Sequence, residues 1–225
     1  MTPQKTQSWK NPFSPPMTKK MAPKAVLNAA GLPIAIVLIA AVLVVCLVRP
    51  AIARTLELPL FAFPSSAATA EWQTVNDGVM GGVSDGRLRI TDRQTLEFRG
   101  TLSLENNGGF ASVRSRRRML GLQAGDTLVA RVRGDGREYQ MHLYTPSRRM
   151  AFSYRAPMPT RRSDWTEVRI PLERFEATSF GRPMTGAGQV DPGRVGAVGF
   201  MLADGTPGPF LLEVAWIRVL RGSAR

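Results

Sequence analysis

Beyond residue 46 the chain has no cysteine, beyond residue 24 it has no lysine, and in all 225 residues it has one histidine. Cys46 sits inside an apolar run, so the folded part of the chain can hold no disulfide, no thiolate nucleophile and no cysteine-based metal site. His142 stands in an alternating, strand-like run, where a structural role is the default. A Ser-His-Asp triad needs an oriented imidazole, and nothing in the pattern supplies one. Acid is missing from the N-terminal end. The first 53 residues carry Lys5, Lys10, Lys19, Lys20, Lys24 and Arg49 without a single Asp or Glu, and residues 54–225 carry 24 Arg against 17 acids, a net of +7. Arginine without lysine is what a GC-rich genome produces. It also supplies planar forks that bind carboxylates and phosphates bidentately, so a domain this basic favours acidic partners or anionic lipid headgroups. The interleaved basic and aromatic residues of nucleic-acid binders are absent, and no nucleic-acid partner is expected.

From Leu32 to Val48 there are 17 residues without a charge, preceded only by positive ones. This predicts a basic cytoplasmic region over 1–31, one hydrophobic helix over 32–48 as transmembrane anchor or signal core, and a linker or cleavage region over 49–59. Ala51-Ile52-Ala53 offers a small-x-small site for a signal peptidase, and Met17 and Met21 are alternative starts that would shorten the leader. The positive-inside bias places the domain beyond it on the periplasmic side, either membrane-anchored or cleaved and periplasmic. Val44-Val45-Cys46 lacks the small residue that precedes a lipoprotein cysteine, which leaves Cys46 an apolar packing residue.

Residues 60–220 read as an all-β domain, with 221–225 a tail. Period-two alternation recurs at Leu96 and Phe98, at Leu128, Ala130 and Val132, at Tyr139, Met141 and Leu143, and at Phe152 and Tyr154. Residues 165–170, 195–202 and 210–219 complete nine or ten strands, bounded by Gly, Pro, Asn and Asp. No window outside the leader has the periodicity of an amphipathic helix, and no internal repeat is visible. Many short strands at this spacing predict a sandwich or jelly roll. Gly134-Asp135-Gly136 separates two strands and is expected to be a hairpin turn; it lacks the GK[ST] of a phosphate loop. Trp165 and Trp216 lie in strong strand patterns and are expected to be buried.

Two stretches are not strand filler: residues 75–86, VNDGVMGGVSDG, and residues 104–115, LENNGGFASVRS. Each sets Asn, Asp or Glu beside glycines. Backbone amides and short polar side chains can then converge without steric cover, although tight turns use the same residues. The two segments are expected to meet at one end or edge of the sandwich.

The motifs WQTVNDGVMGGVSDGRL, LSLENNGGFASVRS, VRGDGREYQ and GPFLLEVAWI, in this order, closely resemble the NADH:ubiquinone oxidoreductase intermediate-associated protein 30 family. The resemblance covers about residues 60–220. It implies a galactose-binding-like β jelly roll, related in shape to carbohydrate-binding modules, and, for the mitochondrial members, a chaperone-like role in assembling the membrane arm of respiratory complex I. The matching positions are Trp72, Asn76, Asp77, Met80, Gly81, Gly82 and Ser84, then Glu105, Asn106, Asn107, Gly108, Gly109, Phe110 and Arg114, and then Gly134, Asp135, Gly136 and Arg137. The family brings no catalytic assignment and no cofactor, so these are candidate positions for binding a ligand or partner.

Three functions are compatible with these residues. The first is a non-catalytic assembly module that meets protein complex subunits, with Arg114, Arg116, Arg117 and Arg118 as its electrostatic handle. The second is a module for envelope glycans, which would stack sugars on Trp72, Trp165, Trp216, Tyr139, Tyr144 or Tyr154 beside Asn and Arg. The third is a glycoside-active enzyme with Asp77 and Glu105 as paired carboxylates. A structural Ca²⁺ needs only oxygen ligands and is left open by the missing cysteines.

Overall fold

The computed structural model describes residues 56–222. The expected basic region, apolar helix and linker residues 49–55 lie outside them. Among the described residues no helix is long and apolar enough to cross a membrane. What they contain is an all-β sandwich of two antiparallel sheets, with short 3-10 turns as the only helical elements.

The first sheet is built on its last strand. Strand β13 (Gly208–Leu220) pairs along one edge with β4 (Leu96–Leu102) and then β1 (Glu57–Ala62), and along the other with β6 (Thr127–Arg133). β3 (Asp85–Ile90) and β9 (Thr166–Pro171) close the outer edges against β4 and β6. The second sheet runs in the order β11 (Arg182–Pro183), β10 (Glu176–Ser179), β8 (Phe152–Pro159), β7 (Glu138–Tyr144), β12 (Ala197–Leu202), β5 (Ala111–Ser115) and β2 (Trp72–Thr74). Thirteen strands thus stand where alternation predicts nine or ten. β2, β10 and β11 have two to four residues each, too few for a period of two to show.

The core lies between the sheets. Leu96, Phe98, Leu128, Ala130, Val132, Leu212 and Val214 of the first sheet face Tyr139, Met141, Leu143, Val198, Phe200 and Leu202 of the second. Trp72 is held between Phe61 and Phe63 on one side and Phe200, stacked at 6.1 Å, on the other. Full burial of each such side chain is worth about 1.5–3 kcal/mol.

Two expectations are corrected. Gly134-Asp135-Gly136 makes no hairpin, because β6 pairs with β9 and β13 in one sheet while β7 pairs with β8 and β12 in the other. The turn carries the chain between sheets. Alternation reveals a strand on each side of a turn but not the partner each strand takes. Trp165 and Trp216 are also not buried; both are half-exposed. A bulge in β13 between Val214 and Trp216 turns Trp216 outward, where the Arg218 guanidinium lies 4.0 Å above its ring. The Trp165 ring is covered by Arg133 at 4.8 Å.

Candidate functional site

Residues 75–86 and 104–115 meet at one place, and a single side chain joins them. Asp77 is fully buried, and its carboxylate accepts four hydrogen bonds. The Ser84 amide donates to Oδ1 at 2.9 Å; the Ser84 hydroxyl (2.6 Å), the Gly109 amide (2.7 Å) and the Phe110 amide (3.3 Å) donate to Oδ2. Ser84 Oγ accepts in turn from the Ser103 amide at 3.0 Å. Backbone bonds run alongside: the Asp77 amide donates to Phe110 O and the Val75 amide to Ser112 O. Asn76 adds a bond from Nδ2 to Gly86 O at 3.0 Å, while its Oδ1 is buried with no partner.

The glycines are where this clamp needs them. A Cβ on Gly82 would lie 2.4 Å from Asp77 Cγ, and one on Gly108 would lie 2.6 Å from Asp77 Oδ2. Asn106 and Asn107 both adopt left-handed backbone, at φ 54° and 57°, which asparagine tolerates better than other side chains. The second loop therefore turns sharply enough to aim the Gly109 and Phe110 amides at Asp77. Burial alone would push the Asp77 carboxyl up; the bonds from Ser84, Gly109 and Phe110 outweigh it and hold the group below the ordinary carboxylate value. A carboxylate ionised and saturated in this way is a poor general acid or nucleophile. Glu105, its proposed catalytic partner, is exposed.

Among the side chains the clamp presents to solvent, beside Asp85, Glu105, Asn106 and Asn107, are four large apolar ones. Val79 is 74% exposed, Val83 52%, Met80 50% and Leu104 46%, although these residues flank the fully buried Asp77 and the Ser84–Ser103 contact. Gly81, at φ 92°, turns the first loop between Met80 and Val83. Phe110 is half-buried beneath.

The remaining predicted residues lie elsewhere. Asp135 accepts from the Leu211 amide (2.9 Å), the Tyr139 hydroxyl and the Arg137 amide. Arg137 grips Asp204 with two guanidinium nitrogens (2.9 and 2.6 Å) and also donates to the carbonyls of Thr206, Gly208 and Pro209. Together they bolt the β6–β7 crossing to the β12–β13 loop. The arginine cluster divides: Arg116 donates to Ala70 O, Arg118 reaches Leu60 O and covers the Phe61 ring, and Arg114 lies on the second sheet over Tyr144 at 3.9 Å. Asp204 and Ser103 are absent from the sequence-based candidates. Neither carries a signal, because only the tertiary fold brings them to Arg137 and Ser84. Among the described residues no three His, Cys, Asp or Glu side chains are grouped to hold a metal ion.

Residues 61–214 match the family described as Complex I intermediate-associated protein 30. The chain belongs to this family. Its relatives include the mitochondrial Complex I intermediate-associated protein 30 of Mus musculus, 30% identical over an alignment of 177 residues that covers 68% of this chain and 53% of that protein. The Drosophila melanogaster protein of the same name is 27% identical over 183 residues, 70% of this chain and 61% of that one. The chain thus spans a little over half the length of these curated relatives. Among solved structures, the family 11 carbohydrate-binding module of Clostridium thermocellum, in complex with a beta-1,3-1,4-mixed-linked tetrasaccharide, superposes with a TM-score of 0.54 at 14% identity, covering 75% of this chain and 98% of the module. A domain of an agarase superposes with 0.51 at 14% identity, covering 75% of this chain and 25% of that one. At such identities the likeness establishes the shared sandwich fold alone.

The family corrects the expected location. Its relatives are mitochondrial by name, which overturns placement on the periplasmic side, whether membrane-anchored or cleaved. The expectation rested on the uncharged run over 32–48 behind a basic, acid-free N-terminus, and the acid-free basic bias is common to bacterial export leaders and mitochondrial transit segments.

Proposed function

We propose that this family member is a non-catalytic binding module that associates with subunits of an assembling protein complex of the complex I type. The observation that carries the reading is the pairing of a buried, saturated clamp at Asp77 with exposed Val79, Met80, Val83 and Leu104 on the loops it fixes. Large apolar side chains held out in water on fixed loops mark a surface that a partner covers. The names of the relatives, which associate them with a complex I intermediate, supply the kind of partner. The saturation of Asp77 supports the non-catalytic half of the reading.

The test is affinity capture of the full chain from its native cell with mass spectrometry, beside the double variant Met80→Asp, Val83→Asp. Both side chains are largely exposed, so the variant should keep its stability to within about 0.5 kcal/mol. Respiratory-complex subunits should be recovered with the parent chain and lost with the variant. Equal recovery with both would overturn the assigned surface, and recovery of no complex subunit would overturn the function. The glycan alternative shares the fold and would instead leave the chain retained on a polysaccharide column.

A further inference from the structure

Strand alternation leaves a second face that the clamp does not use. In β7, β12 and β5 the core takes Tyr139, Met141, Leu143, Val198, Phe200, Leu202, Ala111 and Val113. Their neighbours therefore point away from the first sheet. Strand register aligns these in a row: Gln73 opposite Arg114, Arg114 opposite Gly199, Gly199 opposite His142, His142 opposite Arg155, and Arg155 opposite Glu176. Gly199 leaves a gap in the row, and the Tyr144 ring fills it: a Cβ there would lie 3.0 Å from Tyr144 Cε2. Arg114 stacks on that ring at 3.9 Å, and the His142 ring lies 6.0 Å from it, nearly parallel.

This floor is polar and closely built. Ser112, His142, Ser153 and Thr178 are all buried, and the His142 ring nitrogens are engaged by Ser153 (3.0 Å) and Gln140 (3.2 Å). Above it two arginines face one acid, the exposed Glu176 opposite Arg155. Among the described residues neither Arg114 nor Arg155 has an ion pair, and Arg114 Nε is buried with no hydrogen-bond partner. A guanidinium without an ion pair gains charge-assisted hydrogen bonds when a carboxylate docks beside it. Burial, with the charges of Arg155 and Arg114, holds His142 down at about 3, so the imidazole is neutral and adds no charge of its own. A separate groove of about 720 Å³ at the β7–β8 end, lined by Arg148, Arg149 and Arg194 but also by Phe152 and Tyr154 of the core side, is not part of this face.

We propose that this outward face of the second sheet, from Arg114 across Tyr144 and His142 to Arg155, is a second binding site that receives an acidic polypeptide segment. The proposal rests on the reading of the domain as a protein-binding module. Three strand spacings of about 4.8 Å separate Arg114 from Arg155, or about 14 Å. An extended chain advances about 3.3 Å per residue, so carboxylates about four residues apart reach both guanidiniums. A neutral sugar would leave Arg114 without counter-charge, since Glu176 stands opposite Arg155 alone.

The experiment titrates the full chain with a synthetic peptide bearing Glu at every fourth position in a Gly/Ser background, and with its Gln counterpart, by calorimetry at low and high salt. The Glu peptide should bind, weaken as salt rises, and lose about tenfold or more in affinity in the variant Arg114→Gln, Arg155→Gln. Arg155→Gln alone leaves the Tyr144 stack intact and should show a partial loss, which keeps the test valid if the double variant is unstable. Equal binding of the Gln peptide, or an equal loss in the control Arg116→Gln, Arg117→Gln, would overturn the proposal. So would binding of a mixed-linked β-glucan tetrasaccharide in place of the peptide, or binding of neither. Complex capture through Met80 and Val83 does not depend on this face, so its success beside a failed peptide titration would remove this site and leave the assigned function standing.

Discussion

At the scale of single residues, Asp77 carries the most structure. An Asp77→Asn variant puts an NH2 group where one carboxylate oxygen accepts, against the Ser84 amide at least, and removes the charge that strengthens the other bonds; it should lower stability by about 2–4 kcal/mol at neutral pH in a urea titration. The acid dependence has a definite sign. The folded-state value of Asp77 is below its ordinary one, so its contribution is complete above about pH 4, the unfolded value, and is lost as pH falls through the folded value. Glu97, held down by Arg89, and Asp204, held down by Arg137, act in the same direction. The parent chain should therefore lose stability more steeply than Asp77→Asn as pH falls below about 4. Equal slopes would mean that Asp77 is not ionised in the clamp. Asp77 and its glycines were legible in the sequence as an unusual cluster. Whether the carboxylate faced a partner or its own backbone was not, because an Asp among glycines serves either purpose until the donors around it are located.

At the scale of elements, the fold depends on close backbone approaches that hydrophobic patterning does not register. Gly100 in β4 lies opposite Gly86 in β3, and a Cβ on Gly100 would fall 1.6 Å from Asp85 O. Gly100→Ala should therefore separate β3 from β4. Hydrogen exchange would report this as lost protection of the Arg87 and Arg89 amides, with β7 and β12 still protected. Retained protection in β3 would show that the strand pair can shift to admit a methyl group. The long C-terminal strand was visible in the sequence as a run of alternating apolar residues. Its bulge was not, and the bulge is what reverses the side on which Trp216 emerges. The crossing at Gly134-Asp135-Gly136 was likewise visible as a turn. Its route between sheets is fixed by Asp135 and Arg137, whose partners are 67 or more residues away in sequence at Asp204 and Leu211.

At the scale of the whole molecule, β1 matters more than its edge position suggests. It pairs with the last strand along its whole length and delivers Phe61 and Phe63, 5% and 1% exposed, to the Trp72 nest. Removing a buried phenylalanine side chain costs about 3–5 kcal/mol, and two such losses approach the 5–15 kcal/mol by which domains are stable. A chain of residues 56–225 should unfold in one cooperative transition, whereas one of residues 64–225 should show no such transition by calorimetry. A cooperative transition in the shorter chain would place the folding unit downstream of β1.

Composition and period-two patterning determined by themselves that residues 60–220 form an all-β sandwich, because alternation along a strand is a local consequence of having one face in oil and one in water. The family, too, was legible, since its motifs are contiguous. Only the tertiary structure decided that β6 and β7 part company between sheets, that Asp77 points inward while Met80 and Val83 point out, and that Arg114 and Arg155 share a face with His142. Each of these depends on which strand lies beside which. Strand order is set by contacts between residues far apart in the chain, and no local pattern records them.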